Sequence, residues 1–274
     1  MTTTTDRPSD GERSRVFGEA AEQYDAARPG YATELVDEVL AYARLAGRPA
    51  LEVGAGTGKA TVPFAERGVP VLCVEPDDRM AAVLRRNTAP YPGVQVEVAD
   101  FNEWQPGERR FGLLFAATSW HWLTPGRRFE LAHAALEPGG AIALFWNPQG
   151  IIDPALHAEL AEIDRRYGVD GSPHAQLGST YGEVPGSRGG AEGWPAEECA
   201  ADGRFTDFRA SRHWQEVRYG TERYLAFLSS ISAYRILSEE NRAGALADTA
   251  RVLDREGGGI DMCHLSDLFL ARTR

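Results

Sequence analysis

Between residues 33 and 146 two hydrophobic patterns take turns along the chain. Over Thr33–Leu45, Leu35, Val36, Val39, Leu40 and Ala43 recur at three- and four-residue spacing, which predicts an amphipathic helix. Short apolar runs at Ala50–Val53, Pro70–Val74, Phe111–Ala117 and Ala141–Trp146 predict buried strands. The apolar–polar alternation of Val94–Val98 predicts another. Helical stretches separate them: one around Lys59–Arg67, one capped by Asp77 or Asp78 and running through Asn87, and Pro125–Leu136, closed by Glu137-Pro138-Gly139-Gly140. Strands alternating with helices at this spacing argue for an α/β fold, a parallel sheet covered on both faces.

The flanks are less regular. Met1–Arg13 is polar and reads as a disordered tail, and Val16–Ala27 reads as a helix stopped by Pro29-Gly30. After Trp146, helices are expected over Asp153–Tyr167, Thr221–Ala233 and Ser238–Glu256, with strands at Phe208–Val217 and Met262–Ala271. Gly168–Pro195 is rich in Gly, Ser and Pro without periodicity, as in a flexible lid or insertion. The expected organisation is a tail over 1–13 and one domain over 14–274. Within it, 14–46 forms cap helices, 47–150 the core, 168–195 the lid, and 205–274 the substrate-side helices and last strands.

Composition narrows the partners. With 43% hydrophobic residues, 274 residues can bury a sizeable core. A net charge of −11 argues against nucleic acid, whose binding proteins present a basic face. No window reaches the length of a bilayer span, and the N-terminus lacks the apolar stretch of a signal peptide. Cys73, Cys199 and Cys263 are widely separated and odd in number, which indicates neither a disulfide framework nor a zinc site. No metal is expected, and the setting expected is the cytoplasm.

The informative stretch is Ala50–Thr61, ALEVGAGTGKAT. A phosphate-binding P-loop needs GxxxxGK followed by Ser or Thr. Here Val53 stands at its first glycine and Ala60 follows Lys59. A dinucleotide loop needs GxGxxG; Gly54, Gly56 and Gly58 give GxGxG, although Glu75, 21 residues after Gly54, suits a ribose diol. S-adenosylmethionine (SAM) has no phosphate. It asks for bare main chain and for carboxylates that accept from ribose and adenine and complement a positive sulfonium. Glu52, Glu75 and Asp100 fall in that order at three successive strand ends. Glu52 either contacts the ligand or ties the loop together.

Taken in order, LEVGAGTG, CVEP, VADF, FGLLFAATSWHWL and LEPGGAIALFW resemble the class I SAM-dependent methyltransferases. The opening VFGEAAEQYDAARPGY is similar to the small-molecule branch, which includes trans-aconitate and ubiquinone/menaquinone-biosynthesis methyltransferases. The resemblance covers about Val16–Trp146, with DLFLAR a looser match. It implies a Rossmann-like, seven-stranded, mostly parallel sheet with an antiparallel last strand. It also implies SAM as cofactor, S-adenosylhomocysteine as product, and a site at the carboxyl ends of the strands. Carried over residue by residue, it places Gly54, Ala55 and Gly56 along the amino-acid end of SAM and Glu75 on the ribose. Asp100 and Phe101 border the adenine, with Pro76 and Met80 as apolar neighbours. Ala117 and Thr118 face the amino group, and Tyr24 and Arg28 close over the cofactor.

The expected reaction is methyl transfer to an O, C or N atom of a small molecule, with a role in secondary metabolism suggested by the breadth of the branch. Positioning in line supplies most of such catalysis. Trp120, His121, Trp122, Tyr224, Phe227 and Arg235 are the expected acceptor walls. His121 is either a general base or a hydrogen-bonded wall between two aromatics. Two other classes stay open: a SAM-binding protein that does not methylate, and an NAD(P)-dependent oxidoreductase. Either a monomer or a homodimer is compatible with the sequence.

Overall fold

The computed structural model describes Ala21, Glu22, Asp25 and residues 30–170 and 195–274. Tyr24, Arg28, the tail over 1–13, and nearly all of the expected lid and N-terminal helix lie outside the described residues.

Five parallel strands build the core: β1 (Ala50–Val53), β2 (Val71–Glu75), β3 (Val94–Val98), β4 (Phe111–Ala117) and β5 (Leu136–Trp146). Every residue of β1 and β2 is buried, because helices pack on both faces; that double burial is why these strands read as apolar runs, with Glu52 and Glu75 their only polar members. One face holds Ala50, Cys73, Leu113, Phe115 and Phe145 against α1 (Thr33–Ala43), α2 (Thr61–Glu66) and α3 (Asp78–Thr88). The other holds Leu51, Val74, Leu114 and Leu144 against α4 (Arg128–Ala135) and the rings of Trp104, Trp120 and Phe129.

After β5 come β6 (Gln149–Ile151), α5 (Pro154–Tyr167), α6 (Ala196–Asp202) and β7 (Phe205–Gly220). Then follow α7 (Thr221–Ser229), α8 (Ser232–Arg235), α9 (Glu239–Arg255) and β8 (Gly259–Thr273). The sheet runs β3-β2-β1-β4-β5-β8, with β6 continuing the β5 side of β8 and β7 on its far side. β8 is antiparallel to β5, β6 and β7. The last strand is thus antiparallel, as expected. Among the described residues the sheet has eight strands, one more than the seven expected, because three residues after the Asn147-Pro148 bend rejoin β8 as β6.

Three boundaries differ from expectation for local reasons. β5 begins at Leu136, since Glu137–Gly140 forms an irregularity inside the β4–β5 ladder and does not end it. β7 is longer than Phe208–Val217, because its outer face is solvated and its polar residues mask the strand pattern. The helix expected over Thr221–Ala233 splits at Ser230-Ile231 into α7 and α8. These helices, with α5 and α9, cover the far ends of β6, β7 and β8 with an apolar cluster that includes Leu160, Tyr219, Tyr224, Phe227, Tyr234 and Met262.

Candidate active site

The order of the sheet reverses between β1 and β4, and open α/β sheets bind ligands in the crevice at such a switch point. The chain leaves β1 through Gly54, Gly56 and Gly58, all at positive φ (67°, 57° and 91°). A Cβ on Gly54 would lie 2.6 Å from the Ser119 Cβ, so the segment leaving β4 packs directly on the loop. The Ser119 hydroxyl donates to the Val53 carbonyl and locks the two strand ends together. A Cβ on Gly58 would lie 2.7 Å from Leu84 Cδ1 of α3; this close helix approach explains the displaced third glycine. At Gly56 only the Met80 methyl, 3.7 Å away, bounds the space a Cβ would fill.

Glu75 closes the loop from the tip of β2. Its carboxylate accepts from the Gly56 N–H (2.8 Å) and the Asp77 N–H (3.0 Å), and the residue is 5% exposed. Burial pushes its pKa up to about 7, against the opposing pull of these two N–H donors. Glu52 sits behind it, wholly buried, accepting from the Thr61 hydroxyl (2.6 Å) and facing the Cys73 thiol. Burial, and then the charge of Glu75, raise its pKa to about 8. In this arrangement Glu52 ties β1 to the start of α2.

The third acidic residue has a local task as well. Asp100 is exposed, and its Oδ1 accepts from the Asn102 N–H (2.8 Å) and side-chain amide (2.9 Å), which forms the turn after β3. Phe101 is buried and stacks on Trp104, with ring centroids 5.7 Å apart. Asp77 caps α3 by accepting from the Arg79 and Met80 N–H groups, and Met80 lies buried under the loop. Ala55 is buried, and Pro76 is half-buried beside Glu75.

At the tip of β4, Ala117 and Thr118 are partly exposed, and Thr118 takes the left-handed conformation (φ 55°) that a β-branched residue rarely adopts. Three contacts hold it there. Its N–H donates to the Phe145 carbonyl (2.8 Å), and its hydroxyl donates to Asn147 Oδ1 (3.2 Å) and meets the Tyr31 hydroxyl (3.0 Å). Such a conformation persists only where surrounding contacts hold it. Tyr31, Ser119 and Asn147 carry no signal in the sequence that sets them apart; the topology brings them here.

The expected acceptor walls divide. Trp120 is completely buried against Phe129 (centroids 5.2 Å apart), so its ring belongs to the core and not to a wall. Tyr224 and Phe227 are likewise buried, packed with Tyr219 under α5 and α9. In each case the aromatic faces inward because the sheet offers it an apolar surface to cover. His121 is exposed and Trp122 half-buried, their rings 4.6 Å apart in a short 3₁₀ turn, Trp120–Trp122. Arg128 anchors that turn by donating to the Trp120 carbonyl (3.2 Å) while pairing with Glu198 of α6. Arg235 is half-buried at the end of α8. Among the described residues no cluster of His, Cys, Asp and Glu could hold a metal ion, and no helix is long and apolar enough to cross a membrane.

The glycine loop at the switch point, the acidic tip of β2 and the antiparallel last strand give a mostly parallel, Rossmann-like sheet of the kind methyltransferases adopt. Residues 50–140 match the family model of a methyltransferase domain. It is similar to uncharacterized methyltransferases of Mycobacterium tuberculosis and Mycobacterium bovis, 35% identical over 162 residues, which are 58% of this chain and 62% of theirs. The match therefore spans less than two thirds of the relatives' length. Among solved structures, a protein of Anaeromyxobacter dehalogenans assigned as a Type II methyltransferase is 20% identical, with a TM-score of 0.59, covering 89% of this chain and 97% of that one. The Bacillus YcgJ protein is 15% identical, with a TM-score of 0.52, covering 89% and 99%. Both likenesses concern the fold.

Proposed function

We propose that this protein transfers the methyl group of SAM to a small-molecule acceptor. The observation that carries the reading is the pairing of Glu75 with the Gly54–Gly56 loop: a buried carboxylate at the tip of β2, beside main chain bare of side chains. That set fits a phosphate-free nucleoside with positive charge. Glu75 is costly to ionise where it stands, and hydroxyl donors with a nearby cation offset that cost. The space open at Gly56 lets a ligand approach the backbone.

On this reading Gly54, Ala55 and Gly56 line the amino-acid end of the cofactor and Glu75 accepts from its ribose. Pro76, Met80, Asp100 and Phe101 border the adenine. Ala117 and Thr118 face the amino group, and Tyr24 and Arg28 cover it. Bound there, SAM supplies a methyl group already activated on a positive sulfur. The chain's own share is to hold the acceptor in line and keep water out, which needs no strong acid or base. His121, Trp122 and Arg235 remain the acceptor-side candidates, with His121 available to take a proton where the acceptor is a hydroxyl or amine. The buried, unbridged cysteines suit a reducing compartment such as the cytoplasm.

The test is twofold. Calorimetry with S-adenosylhomocysteine should show binding, and methyl-labelled SAM should pass label to a small-molecule fraction of an extract. Binding without transfer would favour a non-methylating SAM protein. A thermal shift with NADPH and none with SAM would favour an oxidoreductase.

A further inference from the structure

One face of β8 reads Ile260, Met262, His264, Ser266, Leu268, Leu270, so a buried apolar stripe is broken by two polar residues. Cross-strand partners share a face, and His264 is paired with Gln149 on β6 and Gln215 on β7. On one side of this polar interval Met262 and Ile151 pack under α5, α7, α8 and α9. On the other, Leu268 and Phe145 pack under α1. The interval lies three residues along β8 from Asp267, the partner of Trp146 at the end of β5. At about 3.3 Å per residue, that is ~10 Å beyond the carboxyl edge of the parallel strands.

Both side chains are well over nine-tenths buried: Gln149 is 4% exposed and His264 7%. Yet Gln149 Oε1 and His264 Nε2 have no hydrogen-bond partner among the described residues. Leaving such atoms unmet costs more than replacing them with apolar groups, and here two of them stand side by side on one face, where one ligand can meet both. The imidazole stands 5.5 Å from the ring of Tyr219, over which Arg223 lies at 4.1 Å. Burial, and then the Arg223 charge, depress the His264 pKa to about 4, so its ring is neutral at pH 7.

We propose that Gln149 and His264 form the hydrogen-bonding floor of the acceptor site and select a molecule whose polar group donates, a hydroxyl or an amine, over a carboxylate. A hydroxyl donates to Gln149 Oε1 and accepts from His264 when the neutral ring carries its proton on Nε2; an amine donates to Gln149 Oε1 and to Nε2 in the other tautomer. A carboxylate sets its lone pairs against those of Gln149 and loses its water to a neutral ring. This inference rests on the methyltransferase reading of the same crevice.

The test uses the full chain saturated with S-adenosylhomocysteine and three probes sharing one ring: phenol, aniline and benzoate. Histidine-ring NMR signals report contact, and the signal lost in His264→Gln assigns the residue. Phenol and aniline are expected to move the His264 signal while benzoate at matched concentration leaves it in place. Gln149→Leu should weaken the phenol response about fivefold, the factor one ordinary hydrogen bond carries, and keep or raise Tm. A pair with a purely structural role would change Tm and leave the phenol response untouched, which overturns the proposal. So would an equal shift with benzoate, or a His264 signal unmoved by all three probes while S-adenosylhomocysteine binds. No heat with S-adenosylhomocysteine would remove the cofactor reading first, and this one with it.

Discussion

Gly54 and Ser119 touch across the switch point: a Cβ on Gly54 would lie 2.6 Å from the Ser119 Cβ, and the serine hydroxyl is bonded to the Val53 carbonyl. Two costs therefore meet in Gly54→Ala, the clash and the positive φ. The double substitution Gly54→Ala with Ser119→Gly removes the first and retains the second. The single variant is expected to lose about 2–4 kcal/mol of stability, from overpacking together with the left-handed conformation. The double variant should recover the overpacking share less about 1 kcal/mol for the lost Ser119 bond to the Val53 carbonyl. Chemical denaturation of the three proteins checks both.

Glu75 and Glu52 make stability depend on pH. Both have folded-state values above the ordinary carboxylate range, about 7 and about 8, so the folded state binds more protons than the unfolded one between pH 4.5 and 8. Stability falls as pH rises through that window. Tm is expected to be higher at pH 5.5 than at pH 8 as far as these groups decide it, and Glu52→Gln should flatten the slope and raise Tm at pH 8. A scan of Tm against pH for wild type and variant reads this directly.

The same carboxylate should make cofactor binding pH-dependent. A ligand that presents hydroxyl donors and a positive charge prefers ionised Glu75, so affinity for SAM should weaken as pH drops below 7, by up to about tenfold per unit. Glu75→Gln should abolish most of this dependence and weaken binding at pH 8. Calorimetric titrations at several pH values test it.

Arg128 pairs with Glu198 and holds the Trp120 carbonyl from a 5% exposed position, bridging α4, α6 and the turn after β4. Arg128→Ala leaves Glu198 without this partner and frees the turn. The expected loss is about 1–3 kcal/mol, since Glu198 is partly exposed and keeps some of its hydration when its partner is removed. Thermal unfolding measures the loss. Tryptophan fluorescence should show greater exposure near Trp120.

How much of this was legible in the residues depended on what each faces. β1, β2 and β4 were readable because both faces are buried, so ALEV, VLCVE and FGLLFAA are apolar apart from the two carboxylates, Glu52 and Glu75. β7 was only half readable, since Trp214 and Gln215 face solvent, His213 meets Glu38 of α1 and Arg212 pairs with Asp267 of β8. The acidic order Glu52, Glu75, Asp100 pointed to the crevice, but a carboxylate's partners depend on geometry that spacing does not carry: Thr61 for Glu52, Asn102 for Asp100. Aromatic identity alone could not separate a core ring from a partly exposed one; Trp120 is buried while Trp122, two residues on, is half-buried. His264 did carry a signal, as a polar residue inside an alternating apolar strand.

The position of β8 bears on how the molecule is assembled. It is the last of the eight strands in chain order, yet it lies between β5 and β7 and supplies β7 with its whole ladder. During synthesis β1–β5 can close on local βαβ connections, while β7 waits unpaired for 38 residues until β8 emerges from the ribosome. The nascent protein thus passes through a stage with two open sheet edges, and a holdase able to shield them should raise its yield most when translation is slowed between residues 220 and 259.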